Sequence, residues 1–286
     1  MHVAPVALAA RTGLCLAVAA ATASQAIPSG QTSCYDEAFA GDVDIATAAE
    51  LPAAARHVRI DGTLLFHNTQ LVAIPDLFCP VEVFHLHIDL SPRLASLSGL
   101  RSIRRVNGNL NVATTEVLAD LRGLDSITTV GGQLFIAYNH GLRSLRGLDR
   151  LELVERDVFI HYGGALTNLD GLNALRRVGG NLSVFEEPAL KNLSGLNRLK
   201  EVGGNVSINS NGSLTSLRGL DALESVGGTV YVSDNHMLPD CEVWRLVKRL
   251  RARRSDLQWN ASGNRADGCS KLLARANKRS APPPSP

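Results

Sequence analysis

The side chains best suited to recognising another molecule form an aromatic group near the middle of the chain. Five of the 13 aromatic residues lie there, with one histidine among them. Exposed aromatic clusters usually mark a binding site, because flat apolar rings anchor interfaces and also suit sugar rings. The alternative is an aromatic ladder that only stabilises the sheet beneath it. The candidate binding residues are Phe135, Tyr138, Phe159, His161, Tyr162 and Phe185.

A second group combines imidazole and carboxylate side chains: His67, His85, His87 and Asp89. Residues two apart on a strand point to the same face, so three of these four would share one face. Such groups could hold a metal. Histidines on an exposed strand are more often plain polar surface, and we therefore predict neither a metal nor a cofactor.

Catalytic motifs are missing from the sequence, which contains no GxSxG, HExxH or Walker pattern. Some parallel β-helices cleave polysaccharides with charged residues on the sheet face. The carboxylates available here, Asp89, Asp157, Glu186 and Glu187, are too scattered in the pattern to form a catalytic pair. We expect a protein that is not an enzyme, and a polysaccharide-active enzyme is the weaker alternative.

The C-terminal region is strongly basic, with eleven Lys and Arg against three acidic residues between positions 242 and 279. Apolar residues at helical spacing predict an amphipathic helix there. Its basic face could meet an anionic surface such as acidic polysaccharide or lipid headgroups, or could simply be solvated. Nucleic acid is not expected, because no aromatic residues interleave with the basic ones. The candidate residues are Arg245, Lys248, Arg249, Arg251, Arg253 and Arg254.

A repeat of 24 residues positions all of these side chains. The phrase GNLxVxxxxxLxxLxGLxxLxxVG begins, with variations, at Phe84, Gly108, Gly132, Arg156, Gly180 and Gly204, and a broken copy begins at Gly228. A fixed period of this length predicts a solenoid. Each copy begins with two apolar residues around a variable one, which predicts a short strand with one buried face. The variable position forms an outward column: Leu65, His87, Asn111, Phe135, Phe159, Ser183, Ser207 and Tyr231.

The second half of each copy supplies leucines and a recurring glycine, such as Gly147, which suggests a positive φ or a close approach between coils. The pattern continues weakly upstream, through Leu64 and Phe66 and then through Val43 and Ile45. Between these pairs, residues 46–58 are predicted to form a short helix that closes the N-terminal end.

These features resemble the receptor L-domain family, the leucine-rich right-handed β-helix of growth-factor and insulin receptor ectodomains. The similarity covers about residues 41–270, and it rests on Gly108-Asn-Leu-Asn-Val, on the LxGLxxLxxV return and on Cys79 before a strand. It also includes Leu238-Pro-Asp-Cys241, followed by a helix and Cys269. The resemblance implies a mainly β, right-handed parallel β-solenoid with helical caps at both ends, and a recognition role. Receptor function is not implied, because neither a Cys-rich module nor a kinase accompanies the solenoid.

The cysteines indicate secretion. Cys15 lies in an apolar stretch typical of a signal peptide, and the other four cysteines lie two at each end of the solenoid. An even number in a secreted chain implies disulfides, with free buried thiols as the alternative. We predict the pairs Cys34–Cys79 and Cys241–Cys269. The predicted organisation is a signal peptide (1–26), an N-terminal cap with a degenerate coil (27–61), solenoid repeats (62–240), a C-terminal cap with the basic helix (241–270) and a disordered Pro-rich tail (271–286).

Together these patterns predict a secreted, periplasmic or cell-surface recognition module. It would bind a protein or a cell-envelope glycan through the aromatic face of its sheet. The alternative is a structural envelope protein held to an anionic polymer by its basic helix. The oligomeric state is left open by the sequence.

Overall fold

Short parallel strands, repeated along the chain, form the body of the protein. The computed structural model describes residues 34–47, 56–74, 76–77 and 79–280, and the chain from Cys34 onward forms one compact unit. The fold is mainly β, a parallel solenoid with coils of about 24 residues. The strands are β1 Tyr35–Phe39, β2 Val43–Asp44, β3 His57–His67, β4 Glu82–Asp89, β5 Arg105–Val106, β6 Leu110–Ala113, β7 Thr129–Val130, β8 Leu134–Ala137, β9 Leu153–Val154, β10 Val158–His161, β11 Arg177–Val178, β12 Leu182–Phe185, β13 Glu201–Val202, β14 Val206–Asn209, β15 Ser225–Val226, β16 Val230–Ser233 and β17 Trp259–Ser262; the helices are α1 Asp240–Arg251 and α2 Ser270–Ser280.

Each regular coil contributes one four-residue strand and one two-residue strand, and each kind pairs with its counterparts in the neighbouring coils. In the four-residue strands Leu134 pairs with Val158, and Val158 pairs with Leu182, so partners are 24 residues apart. In the two-residue strands Val154 pairs with Val178 in the same parallel register. The alternate apolar residues of the longer strands are fully buried, as the repeat predicts.

Leucines spaced three residues apart fill the core on the other side of each coil. In one coil the backbone closes successive turns in which Leu148 N–H donates to Leu145 O and Leu151 N–H donates to Leu148 O, at 3.1 and 2.9 Å. Turns of three residues place positions i and i+3 on the same side. All three side chains are therefore buried, although the sequence between two strands is too interrupted for a helix.

At the end of each four-residue strand the chain turns sharply through a left-handed residue. Eight non-glycine residues there have φ between 47° and 59°, and they recur mostly every 24 positions: Asn68, Leu90, Thr114, Tyr138, Tyr162, Glu186, Ser210 and Asp234. Such conformations are uncommon without glycine. The residue that follows is usually a fully buried polar one, and it bonds the backbone of the turn; we call this series the polar ladder: Thr69, Ser91, Thr115, Asn139, Glu187, Asn211 and Asn235.

The N-terminal end is described only in part. Most of the predicted helix over 46–58 lies outside the described residues, and its last two positions, His57 and Val58, already belong to β3. A strand forms there because His57 can pair with Tyr35 of β1. Strands β1 and β2 both pair in parallel with β3 and extend the solenoid, and the predicted disulfide Cys34–Cys79 is present.

The C-terminal end is covered by α1, by one further strand and by α2. Strand β17 pairs with β16, so the solenoid continues beyond the predicted boundary at residue 240. The prediction of a disordered tail from residue 271 is wrong for residues 271–280, which belong to α2. The helix is held because Leu273 is buried and because Cys269, just before it, forms the predicted disulfide with Cys241. Residues 281–286 lie outside the described part.

Two further features concern the predicted localisation. The proposed signal peptide, 1–26, lies outside the described residues. Neither helix of the described chain has the length and apolar character needed to cross a membrane.

Candidate binding surface

The outward column of the strands is confirmed by the register of the sheet. Phe135 lies beside Phe159, which lies beside Ser183, and Ser207 lies beside Tyr231. Both phenylalanines are half-buried rather than fully open, because each packs against its neighbours on the face of the sheet. Their rings meet edge to face, with centroids 6.3 Å apart.

All six aromatic and histidine side chains that the sequence singled out come together; we call them the aromatic cluster. His161 is its centre, with ring centroids 5.4 Å from Phe159, 6.0 Å from Tyr162 and 5.9 Å from Phe185. Such edge-to-face contacts are favourable for aromatic pairs. The cluster therefore spans three neighbouring coils and includes both the sheet face and the turn that follows it.

The two tyrosines of the cluster are positioned by the left-handed turns. Tyr138 and Tyr162 occupy the same place in successive coils, and their rings stack in parallel with centroids 4.7 Å apart. The other side of Tyr162 meets the edge of Phe185 at 5.3 Å. Tyr138 ends the stack and is 46% exposed, so its ring is the part of the cluster most open to a partner.

A shallow cleft of about 300 Å³ lies beside this open end of the stack. Its wall includes Thr114, which occupies the turn position one coil before Tyr138, and Leu90, one coil earlier again. The remaining lining residues are His67, Asn68, Pro92 and Glu116. The smaller side chain of Thr114 thus leaves a gap between the exposed side chains of Leu90 and Tyr138. The hydroxyl of Thr114, the amide of Asn68 and the carboxylate of Glu116 line this gap.

The side chain of His161 also makes a polar contact with the next coil. Its Nε2 lies 2.8 Å from Ser183 Oγ on the next strand. Burial lowers the pKa of His161, so its ring is uncharged at neutral pH. The cluster therefore offers a partner an apolar, neutral face.

The histidine and aspartate group is not arranged as a metal site. Nδ1 of His85 accepts the backbone N–H of Asn109 at 2.8 Å, and the carboxylate of Asp89 accepts the N–H of Leu90 at 2.7 Å. Among the described residues, three potential ligands approach closely only at Cys241, Asp267 and Cys269, where both cysteines are already joined in a disulfide.

The basic side chains near the C-terminus are less available than predicted. The guanidinium of Arg249 donates to Leu220 O at 2.6 Å, and that of Arg254 donates to the carbonyls of Val226 and Gly227 at 2.8 and 2.7 Å. These two arginines cap the last regular coil, and the side chain of Arg254 remains 40% exposed.

Three of the remaining four basic residues form ion pairs or hydrogen bonds with other groups of the chain. Arg253 pairs with Glu224 at 3.0 Å, Arg245 pairs with Glu242 at 2.7 Å, and Arg251 donates to the carbonyl of Ser255 at 3.2 Å. Lys248 is exposed and is the one of the six without a partner among the described residues.

Two of the four carboxylates that the sequence offered have structural roles. Asp157 Oδ1 accepts the N–H of Asn181 at 2.7 Å, and Glu187 is buried in the polar ladder. Two asparagines that lie in Asn-x-Ser sequences also have structural roles. Asn205 Oδ1 accepts the N–H of Thr229 at 2.8 Å, and Asn211 is fully buried.

Sequence reasoning missed the polar ladder. The available signal was Asn at 139, 211 and 235, always five residues after the first strand position of its coil. This ladder fixes the turns that carry Tyr138 and Tyr162.

No protein-family model matches the chain, and no curated protein matches it. The fold alone therefore gives the class, a disulfide-capped parallel β-solenoid with 24-residue coils and an aromatic cluster on one face.

Proposed function

We propose that this protein is a non-enzymatic recognition module of the cell surface or extracellular space, which binds a protein or a cell-envelope glycan through the aromatic cluster. The observation that carries the proposal is the gathering of six ring side chains, from three coils, on one open face. The polar groups beside Tyr138 add hydrogen-bonding partners at the edge of that apolar face, which is typical of ligand sites.

Rigidity supports this proposal. The backbone beneath the cluster is fixed by parallel pairing on both sides and by the polar ladder, so little ordering would accompany binding. The two disulfides are consistent with maturation in an oxidising compartment. A secreted or cell-surface location and the resemblance to receptor L-domains remain parts of the proposal.

Replacing Tyr138 with serine should weaken binding at least about tenfold, because an aromatic hot-spot residue contributes about 2 kcal/mol or more to an interface. The protein would be tested against a panel of cell-surface glycans and against whole cells. Tyr231→Ser is the matched control, because Tyr231 lies on the same face, is 39% exposed and belongs to a coil beyond the aromatic cluster.

Circular dichroism would confirm that both variants remain folded. An equal loss of binding in the two variants, or unchanged binding by Tyr138→Ser, would show that the aromatic cluster is not the recognition site. Phe135→Ser and Phe159→Ser extend the test to the face of the sheet, where the rings are half-buried.

Salt separates this function from attachment to an anionic polymer through the basic C-terminal region. Binding by the neutral aromatic cluster should change less than about twofold between 0.05 and 0.5 M NaCl, because exposed charges are screened over this range and apolar contacts are not. A steep loss of binding at high salt would favour the basic region instead. Lys248→Glu would then be the first variant to examine, because Lys248 is exposed.

A further inference from the structure

The asparagines of the polar ladder each perform two tasks. The side-chain oxygen of Asn139 accepts the N–H of Thr115 at 3.0 Å, and its Nδ2 donates to Val112 O at 2.8 Å. Asn211 repeats this arrangement with the N–H of Glu187 and with Val184 O, at 3.0 and 3.2 Å. The ladder position therefore requires one acceptor atom and one donor atom, and the donor meets the carbonyl 27 residues earlier.

Glu187 occupies the same position with a carboxyl group. Its Oε1 accepts the N–H of Gly163 at 2.9 Å, as an asparagine oxygen would. Its Oε2 is buried and has no hydrogen-bond partner in the described part of the chain, and the residue is only 1% exposed. An ionised carboxylate has no donor, and leaving one buried without a second partner is strongly unfavourable.

Residue 163 is adapted to this carboxyl group. Where Tyr138 is followed by Asn139, Tyr162 is followed by Gly163, so the ladder lacks a side chain in this one coil. A Cβ on Gly163 would overlap both carboxyl oxygens of Glu187. The longer glutamate side chain thus fills space that the missing side chain leaves, and the two positions are complementary.

We propose that Glu187 acts in the ladder as a neutral carboxylic acid whose Oε2–H is the donor, and that loss of this proton loosens the turn beneath Tyr162 and so switches off the binding surface. The effect on the binding surface rests on the proposed function, whereas the protonation of Glu187 does not. A protonated carboxyl group has one donor and one free acceptor, which is what each asparagine amide supplies in the other coils.

Burial raises the pKa of Glu187 to about 7, partly opposed by the hydrogen bond from Gly163. The titratable groups around the turn are His161, Tyr162 and His140 on the preceding coils and Glu186 on its own coil. Asn209, Ser210 and Asn211 face it from the following coil, and these residues do not titrate. No charged neighbour contributes to the shift, so burial is its cause.

The direction of the pH effect follows from this raised pKa. The folded protein holds the proton more tightly than the unfolded chain, whose glutamate has a pKa near 4.5. The contribution of Glu187 to stability is therefore complete below about pH 4.5 and is lost as the pH rises through about 7. We expect the turn to be held most firmly under acidic conditions, to loosen as the pH rises toward 7 and to stay loose above it.

The turn is directly connected to the aromatic cluster. Tyr162 precedes Gly163, and Phe185 lies two residues before Glu187 on the adjacent strand. Their rings meet at 5.3 Å, and Tyr162 also carries the stacked ring of Tyr138. A movement of either side of the Gly163–Glu187 contact would therefore disturb the surface without unfolding the solenoid.

The test compares the wild type with Glu187→Gln between pH 5 and 9. Glutamine keeps the shape and supplies a permanent donor. Protection of the Gly163 amide against hydrogen exchange, after correction for intrinsic exchange, should fall by up to tenfold per pH unit between pH 5 and 7 in the wild type and level off above pH 7. It should stay constant throughout in Glu187→Gln. Glu186→Gln is the matched control, because it makes the same chemical change at an exposed neighbour outside the ladder and should behave as the wild type.

Two further measurements keep the inference falsifiable if Glu187→Gln does not fold. In the wild type, the carboxyl carbon of Glu187 should titrate near pH 7, and the ring signals of Tyr162 should shift with the same midpoint. Titration near 4.5, or equal pH profiles in the wild type and Glu187→Gln, would overturn the proposal. None of these readouts needs a ligand, so a failure of the proposed binding function would be seen separately.

Discussion

Replacing Gly147 with alanine is expected to lower the free energy of unfolding by about 4 kcal/mol, a large part of the roughly 5–15 kcal/mol that stabilises a typical protein. Gly147 has a φ of +114°, which a residue with a side chain adopts only at a penalty of about 1–3 kcal/mol. A Cβ there would also overlap the carbonyl oxygen of Leu121 in the preceding coil. Because that oxygen belongs to the backbone, it cannot rotate away, and forced overpacking adds about 1–3 kcal/mol.

Gly212→Ala is the matched control for this variant. A Cβ on Gly212 would meet no atom within 4 Å, and the residue is not among the glycines with positive φ. Its free energy of unfolding should stay within about 0.5 kcal/mol of the wild type or rise slightly, because alanine restricts the unfolded chain. Denaturant titrations followed by circular dichroism would give both values. Similar stabilities for the two variants would contradict the packing that we describe.

The second large effect is expected for Asn211→Leu in the polar ladder. Leucine has a similar size, but it leaves the N–H of Glu187 and the carbonyl of Val184 without the partners that Asn211 provides. A buried polar group without a partner is unfavourable by about 1–3 kcal/mol, so the two groups together predict a loss of about 2–6 kcal/mol. Hydrophobic gain cannot offset this loss, because the two backbone groups are enclosed and cannot reach water.

Asn260→Leu makes the same chemical change at an exposed position, where the side chain has no hydrogen bond within the described structure. Its effect should stay within about 0.5 kcal/mol. Thermal unfolding of both variants, followed by hydrogen exchange of the Glu187 amide, would locate the loss. An Asn211→Leu protein as stable as the wild type would show that the polar ladder does not contribute to the stability of the fold.

Much of the solenoid could be predicted because its core repeats in sequence. Leu134-Phe135-Ile136 and its equivalents predict buried and outward positions, and the register confirms that column from Leu65 to Tyr231. The two ends of the solenoid were harder to predict. Strand β17 follows a helix, so Val230 and its partner Trp259 are 29 residues apart instead of 24. A period cannot anticipate an insertion, and the short apolar pattern of Trp259–Ser262 carries little signal by itself.

The aromatic cluster was also predicted in part: its members were predicted from the sequence, but their geometry was not. Its membership followed from position in the repeat, because Phe135 and Phe159 or Tyr138 and Tyr162 share a place in successive coils. The parallel stacking of the tyrosines did not follow, since it depends on a left-handed backbone at a position where glycine is usual. Two of the basic residues were misjudged for a related reason. Arg249 and Arg254 look free in a helical pattern, yet they reach carbonyls at the end of the last coil.

The sequence by itself determined the repeated architecture and the set of side chains on the outer face, because a 24-residue period fixes which residues align and which face the core. It suggested the two disulfides, and the structure confirms their pairing. Only the tertiary structure decided how polar groups are satisfied between coils, since those hydrogen bonds join residues that lie 24 or more positions apart. For this reason Glu187 resembled a scattered surface carboxylate in the sequence, whereas in the folded protein it is enclosed between Gly163 and Asn211 at a position where a donor is required.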